Sequence, residues 1–331
     1  MQHALSLENP VSRSPSGTPV IALEEHYIDP NVAEHFKGRG ADQPDVAERL
    51  RDVGETRLRE MDDAGIDLQV LSHAAPATQR LEPALAVRVA RAANDRLAET
   101  VRAHPTRFAA FAALPTPDPQ AAAEELERAV TRLGFKGAMV HGLTNGVFLD
   151  DARFHPIFER AQALDVPIYV HPAVPHPQVV EAYYKDYLAD FPALLTAGWG
   201  FTVETATQGI RLVLSGVFDR YPGLQIILGH LGESLPFSLW RIDQALSRKG
   251  NRALAFRDTF CAHFHITTSG NFSTPALLCS MLELGADRIM FSVDYPYVQS
   301  RPGTQWLESL QISPEDKAKI MSGNARRLLK L

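Results

Sequence analysis

Eight short apolar segments, most of them separated by stretches of helical periodicity, constrain this chain more than any other feature. They fall at residues 20–25 (VIALEE), 67–72 (DLQVLS), 108–114 (FAAFAAL), 136–140 (KGAMV), 167–170 (PIYV), 224–229 (LQIILG), 264–268 (FHITT) and 288–293 (RIMFSV). Continuous apolar runs of this length suit strands buried on both faces of a parallel sheet. Between them the spacing predicts helices over residues 57–64, 84–103, 119–132, 151–164, 207–220 and 235–246. The punctuation agrees: Gly65 and Gly134 stand just past two helix ends, and Pro119 stands at a start. Asp151 is placed to cap another helix, and Pro105 forbids continuation of the second.

This βα alternation predicts an α/β fold, either a (β/α)8 TIM barrel or a doubly wound open sheet. The barrel is preferred because polar residues follow the first, second, fourth, fifth, sixth and eighth segments. A barrel gathers all those strand ends on one face, whereas an open sheet offers mainly a switch point. Residues 19–331 are expected to form one barrel domain, with residues 1–18, rich in Ser and Pro, as a loosely ordered arm. The long excursion after the fifth segment contains the aromatic stretch AYYKDY at 182–187 and predicts an inserted segment over the mouth of the barrel.

Composition narrows the partners. A formal net charge of −6 gives no electrostatic reason to expect nucleic acid or an anionic membrane. No apolar run approaches the about 20 residues of a membrane span. Two cysteines make no disulfide framework, and a cytoplasmic setting is the simpler expectation. Neither GxGxxG, GxxxxGK[ST] nor GxSxG occurs in a position that suggests nucleotide binding or a serine hydrolase.

Reading the residues at the end of each segment yields Glu24-Glu25-His26 from the first, His171 from the fifth, His230 from the sixth and Asp294 from the eighth. Alternate strand residues share a face, so Glu24 and His26 can point inward together while Glu25 points away. Two ligands from one strand and one from each of two others can enclose an ion. Mixed carboxylate and imidazole donors suit Zn²⁺, Mn²⁺ or Fe²⁺ better than Ca²⁺ or Mg²⁺. Taken singly, each histidine could be a hydrogen-bonded core group and Asp294 a turn residue. The coincidence of all four positions argues against that.

The motifs ALEEH (22–26), YVHP (169–172), GHLGE (229–233), WRID (240–243) and FSVDYP (291–296) resemble the decarboxylase branch of the amidohydrolase superfamily. Within it the resemblance is to the γ-resorcylate (2,6-dihydroxybenzoate) decarboxylase family, and it extends to LSGVFDRYPGLQIILGH (214–230) and GNARRLL (323–329). It implies one divalent ion, Zn or Mn, on Glu24, His26, His171 and Asp294, and no organic cofactor. It also implies a homodimer or homotetramer acting on a small aromatic acid. The first strand carries Glu-x-His rather than His-x-His, and Lys136 stands at the wrong end of the fourth segment to bridge two metals.

The implied chemistry is nonoxidative decarboxylation of an aromatic acid with a hydroxyl ortho to its carboxylate, Asp294 protonating the ring. His230 would orient substrate or assist proton transfer. Glu233 would hold its imidazole or, equally, favour a helix N-terminus. Arg241 would meet the substrate carboxylate or form a surface or intersubunit salt bridge. His73 and His141 are divided between pocket lining and loop hydrogen bonding. Tyr27 and the tyrosines of 183–187 are divided between an apolar wall for the ring and core or subunit packing. The competing functions are a metal-dependent hydrolase or hydratase, and a noncatalytic binder of aromatic acids.

Overall fold

The computed structural model describes residues 17–36, 43–246 and 255–331. The expected arm at 1–18 lies outside the described residues except for its last two. Among the described residues nine parallel strands run in chain order: β1 (Ile21–Tyr27), β2 (Leu68–His73), β3 (Phe108–Ala110), β4 (Ala112–Ala113), β5 (Ala138–His141), β6 (Ile168–His171), β7 (Ile226–Leu228), β8 (Phe264–Thr267) and β9 (Ile289–Met290). Each pairs with the next, except that β3 and β4 follow one another and divide the sequence into two sheets. The third segment, expected as one strand, is therefore split. At Phe111 the amide still donates to the Leu71 carbonyl (2.9 Å), whereas at Ala112 it donates to Gly137 on the other side (2.9 Å). Glu25 and Tyr295 form a parallel bridge, so the first strand neighbours the chain leaving the last in this α/β barrel.

Strand side chains alternate between two apolar layers. Ile21, Leu23, Val70, Phe111, Met139, Tyr169, Ile227 and Met290 form an inner cluster, joined by Ala325 and Leu329 of the C-terminal helix. Val20, Ala22, Leu71, Val140, Val170, Leu228 and Ile266 belong to an outer cluster shared with the helices. Complete burial of each such aliphatic side chain stabilises the fold by about 1.5–3 kcal/mol, which strongly specifies the inward register.

The helices follow the sequence signals closely. Gly65 (φ 73°) and Gly134 (φ 79°) end the helices Glu55–Ala64 and Pro119–Leu133 in the left-handed conformation, which costs a glycine little. The Asp118 carboxylate accepts from the Ala121 amide at the start of the latter helix (3.1 Å). One expectation is corrected. The helix placed over 207–220 begins earlier, at Gly200–Leu214, and breaks at Gly216 (φ 76°) before a short turn at Val217–Arg220. The segment after β6 does carry extra short helical turns, at Pro177–Val179, Val180–Tyr184, Lys185–Tyr187 and Pro192–Leu195. Tyr184 is buried there, while Tyr183 and Tyr187 are exposed.

Candidate metal centre

The inner layer ends on four side chains that converge at the C-terminal end of the strands. One donor atom from each of Glu24, His26, His171 and Asp294 lies within 4.8 Å of all the others. His171 Nε2 is 3.0 Å from Glu24 Oε1, and His26 Nε2 is 3.2 Å from Asp294 Oδ1. Glu24 Oε1, His26 Nε2 and Asp294 Oδ1 are buried, yet none makes a hydrogen bond of acceptable geometry. Buried polar atoms normally have partners. Three that face one another without them, drawn from two carboxylates and an imidazole, fit a divalent ion.

The other donor atom of Glu24 and of the two histidines is tied down. Glu24 Oε2 accepts from the hydroxyls of Tyr169 and Ser269, and Tyr169 Oη also meets Thr267 Oγ1 (2.7 Å). His26 Nδ1 contacts Ser72 Oγ (3.2 Å), and His171 Nδ1 contacts the Pro172 carbonyl (2.7 Å) and His141 Nδ1 (3.0 Å). Such partners fix ring orientation and leave the opposite nitrogen for the ion. Space is equally constrained: a Cβ at Gly229 would lie 2.6 Å from Glu24 Oε2.

A bulge in β1 aims the first two ligands. Ala22 pairs with Gln69 and Glu25 with Leu71, so β1 has one residue more than β2 across this stretch. Ile21 and Leu23 face inward, and unbroken alternation would send Glu24 and His26 outward. The extra residue resets the phase, so Leu23 and Glu24 both serve the barrel interior. Glu25 then points away from the ligands, as expected, but it is fully buried. It accepts from the Val293 amide (2.9 Å) and Ser292 Oγ (3.2 Å), which binds β1 to the chain beyond β9. Burial pushes its carboxyl up to about 8 against the pull of the Val293 amide and Arg57. Arg57, buried on Glu55–Ala64, donates to the His26 carbonyl.

His230 and Glu233 sit on a turn rather than at the start of a right-handed helix. His230, Leu231, Gly232, Glu233 and Ser234 all have positive φ, between 51° and 78°, and the helix Leu235–Leu246 begins only afterwards. A left-handed run in which four of the five residues are not glycine is costly, and such conformations cluster at functional sites. Here it brings His230 Nδ1 to 2.7 Å from Glu233 Oε1 and His230 Nε2 to 3.7 Å from Asp294 Oδ2. Asp294 itself has φ 71°.

The electrostatics follow from this packing. Burial acts to raise the Glu24 carboxyl, but His230 and His171 outweigh it and hold it well below the usual carboxylate range. Burial disfavours charge on His26, yet Asp294 and Glu24 push it up to about 9. His230 is likewise driven well above its ordinary value: burial opposes the shift, and Glu233 and Glu24 prevail. A cation is wanted at this point.

The structure thus brings Glu24, His26, His171, Asp294, His230 and Glu233 together. It places others elsewhere. Tyr27 packs in the outer layer, edge-on to His73 at 5.2 Å. His73 Nε2 accepts from the Asp29 amide (3.0 Å), and its Nδ1 lies 2.8 Å from the Ala74 carbonyl. Arg241 is exposed on Leu235–Leu246. Lys136 precedes β5 and donates to the Lys330 carbonyl (3.1 Å), remote in the fold from the strand ends that carry the ligands. The sequence reading did not single out Tyr169, Ser269, Ser72 or Ser292. Nor did it single out Tyr297, whose ring lies 5.8 Å from that of His26. The inward position of Tyr169, two residues before His171, was the one available signal.

A barrel that holds one mixed carboxylate–imidazole ion site at its strand ends defines a class of mononuclear metalloenzymes. The amidohydrolase family model matches residues 20–331, and the chain belongs to that family. It is 44% identical over 326 residues to a γ-resorcylate decarboxylase of Polaromonas sp. strain JS666, covering 94% of this chain and 98% of the relative. A γ-resorcylate decarboxylase of Rhizobium sp. strain MTP-10005 is 42% identical over 325 residues, with 94% and 98% covered. Among solved structures, the Polaromonas dihydroxybenzoic acid decarboxylase with bound manganese and the inhibitor 2-nitroresorcinol superposes with a TM-score of 0.88. It is 43% identical, with 95% of this chain and 97% of that one covered.

Proposed function

We propose that this protein is a metal-dependent, nonoxidative decarboxylase of hydroxylated aromatic acids, γ-resorcylate-like in substrate. The observation that carries the reading is the convergence of Glu24 Oε1, His26 Nε2 and Asp294 Oδ1, buried without a well-formed hydrogen bond, in a chain more than 40% identical to such decarboxylases. Glu24, His26, His171 and Asp294 would hold one divalent ion, Zn or Mn. When bound, the ion would supply Lewis acidity toward the carboxylate and ortho-hydroxyl of the substrate.

The remaining steps belong to the protein. The protonated Asp294 carboxyl gives its proton to the ring carbon that bears the carboxylate. The carbon–carboxylate bond then breaks, its electron pair returns to the ring, and CO₂ leaves. Asp294 is left as a carboxylate and regains a proton from solvent. His230, held at Nδ1 by Glu233, turns Nε2 toward Asp294 and the substrate oxygens. Arg241, His73 and Tyr27, expected from the sequence to bind substrate, stand outside the ligand cluster.

The active form is proposed to be a homodimer or homotetramer of single-domain barrels spanning 19–331. Phe237 and Trp240 on Leu235–Leu246 are 85% and 68% exposed, and Leu282 on the adjoining helix Thr274–Leu284 is 83% exposed. An apolar patch of this kind favours self-association, which would also bring the neighbouring Arg241 to an interface. A cytoplasmic location is consistent with the free thiols of Cys261 and Cys279. No helix among the described residues is long and apolar enough to cross a membrane.

The test is a metal analysis followed by a panel of hydroxybenzoates in deuterated water. CO₂ should be released only from acids with an ortho-hydroxyl, with solvent deuterium at the vacated ring carbon. Asp294→Asn should lower kcat by about 10³-fold while leaving the fold intact. Equal turnover after exhaustive metal removal would overturn the reading.

A further inference from the structure

The end of β5 carries a second buried histidine that the proposed chemistry does not use. His141 pairs in register with His171 across β5 and β6, and it is 1% exposed. The two Nδ1 atoms are 3.0 Å apart, with ring centroids 4.8 Å apart and planes at 70°. Two imidazole nitrogens can approach this closely only by sharing one hydrogen, because two N–H groups would repel and two lone pairs would gain nothing.

The site decides which ring supplies it. His171 turns Nε2 toward Glu24 Oε1 (3.0 Å), and a neutral imidazole that ligates through Nε2 carries its hydrogen on Nδ1. That hydrogen has two acceptors, the Pro172 carbonyl at 2.7 Å and His141 Nδ1 at 3.0 Å. The first belongs to the next residue of the same chain segment. The second comes from the adjacent strand and restrains rotation of the ring from another direction.

His141 is itself firmly based. The buried Gln79 side chain accepts from the His141 amide and donates to the His141 carbonyl (3.0 Å), gripping both main-chain polar groups of that residue. Gln79 Nε2 also reaches Thr144 Oγ1 (3.2 Å), which meets Thr116 Oγ1 (2.7 Å). An ordinary core histidine could satisfy itself on any nearby carbonyl. This one rests on a clamped main chain and faces the back of a metal ligand.

We propose that His141, held by Gln79, is a positioning residue that accepts a hydrogen bond from His171 Nδ1 and so presets its Nε2 for the divalent ion. The inference rests on the metal site of the proposed function. It predicts a requirement for an acceptor at one place, which asparagine can meet: Asn Oδ1 stands the same number of bonds from the main chain as His Nδ1.

The experiment is a Mn²⁺ titration of metal-stripped full-length protein, with the free ion read by electron paramagnetic resonance. His141→Leu should weaken Mn²⁺ binding about 10- to 100-fold, the range for loss of a ligand's supporting partner. His141→Asn should stay within about threefold of the unaltered chain, on the same acceptor argument. The melting temperature of each metal-free variant serves as the control for folding. If the leucine variant does not fold, His141→Gln replaces it, since that side chain stays polar but carries its amide one bond too far.

Unchanged affinity in the leucine or glutamine variant, or equal loss in the asparagine variant, overturns the inference while leaving the metal site standing. Failure of the unaltered chain to bind Mn²⁺, Zn²⁺ or Fe²⁺ overturns both together.

Discussion

The two ends of the barrel each bury a histidine among inward-facing side chains, and the two environments have opposite sign. At the C-terminal end, His26 lies beside Glu24 and Asp294, which push it up to about 9. At the other end, His265 is the second residue of β8 and its Nε2 lies 3.0 Å from Arg288 Nη1. Burial, with the charges of Arg288 and Arg327, drives it down to about 3. Both rings are buried and both stand on barrel strands. Carboxylates make the first a place for a cation, and guanidinium groups make the second a neutral acceptor. Residue type alone does not make a candidate metal ligand; the sign of the surrounding charge separates the two.

The hardest blow to that contrast is removal of the carboxylate. Glu24→Gln should leave the fold intact but lower metal occupancy and reduce kcat by about 10²–10⁴-fold, measured by elemental analysis and CO₂ release. Full occupancy in that variant would mean that charge is not what distinguishes the two ends. A smaller effect is expected from Tyr169→Phe, which takes one of two hydroxyl donors from Glu24 Oε2. Metal affinity should fall by about 10-fold, at the lower end of the range for such supporting groups.

The smallest effect belongs to the opposite end. His265→Gln should change neither metal content nor kcat. It should, however, alter the pH dependence of stability. The folded-state value of His265 is depressed to about 3, against 6.5 for the free side chain, so the unfolded chain binds the extra proton between them. Stability from this group is therefore full above pH 6.5 and is lost as pH falls toward 3. At pH 5 the loss is about 2 kcal/mol, which the variant should not show as a slope of melting temperature between pH 5 and 7. A retained slope would assign it to other groups.

Much of the frame was legible beforehand because it rests on local patterning. All eight apolar segments became strands or strand pairs, and Gly65, Gly134 and Asp151 act at helix boundaries as expected. The clustering of Glu24, His26, His171 and Asp294 was legible because chemistry-bearing side chains just past buried strands are unusual and concentrate at one face of a barrel. Tyr169 was not, because a tyrosine within YVHP reads as core, and its hydroxyl finds Glu24 145 positions away. The turn at 230–234 was not, because nothing in HLGES forces five consecutive residues to positive φ.

The Glu24–His26 pair shows the division most clearly. The sequence determined that these residues share a face of one strand, since alternation is a local property of an extended chain. Which face they share depended on the register of β1 against β2. The core pattern of Ile21 and Leu23 would turn the pair outward, and the bulge between Ala22 and Glu25 turns it in. Likewise, histidines at the ends of β5 and β6 were visible in the chain, but only strand pairing set their Nδ1 atoms 3.0 Å apart. Periodicity and residue chemistry act over a few positions, whereas register, charge environment and contacts between side chains of different strands exist only once the barrel has formed.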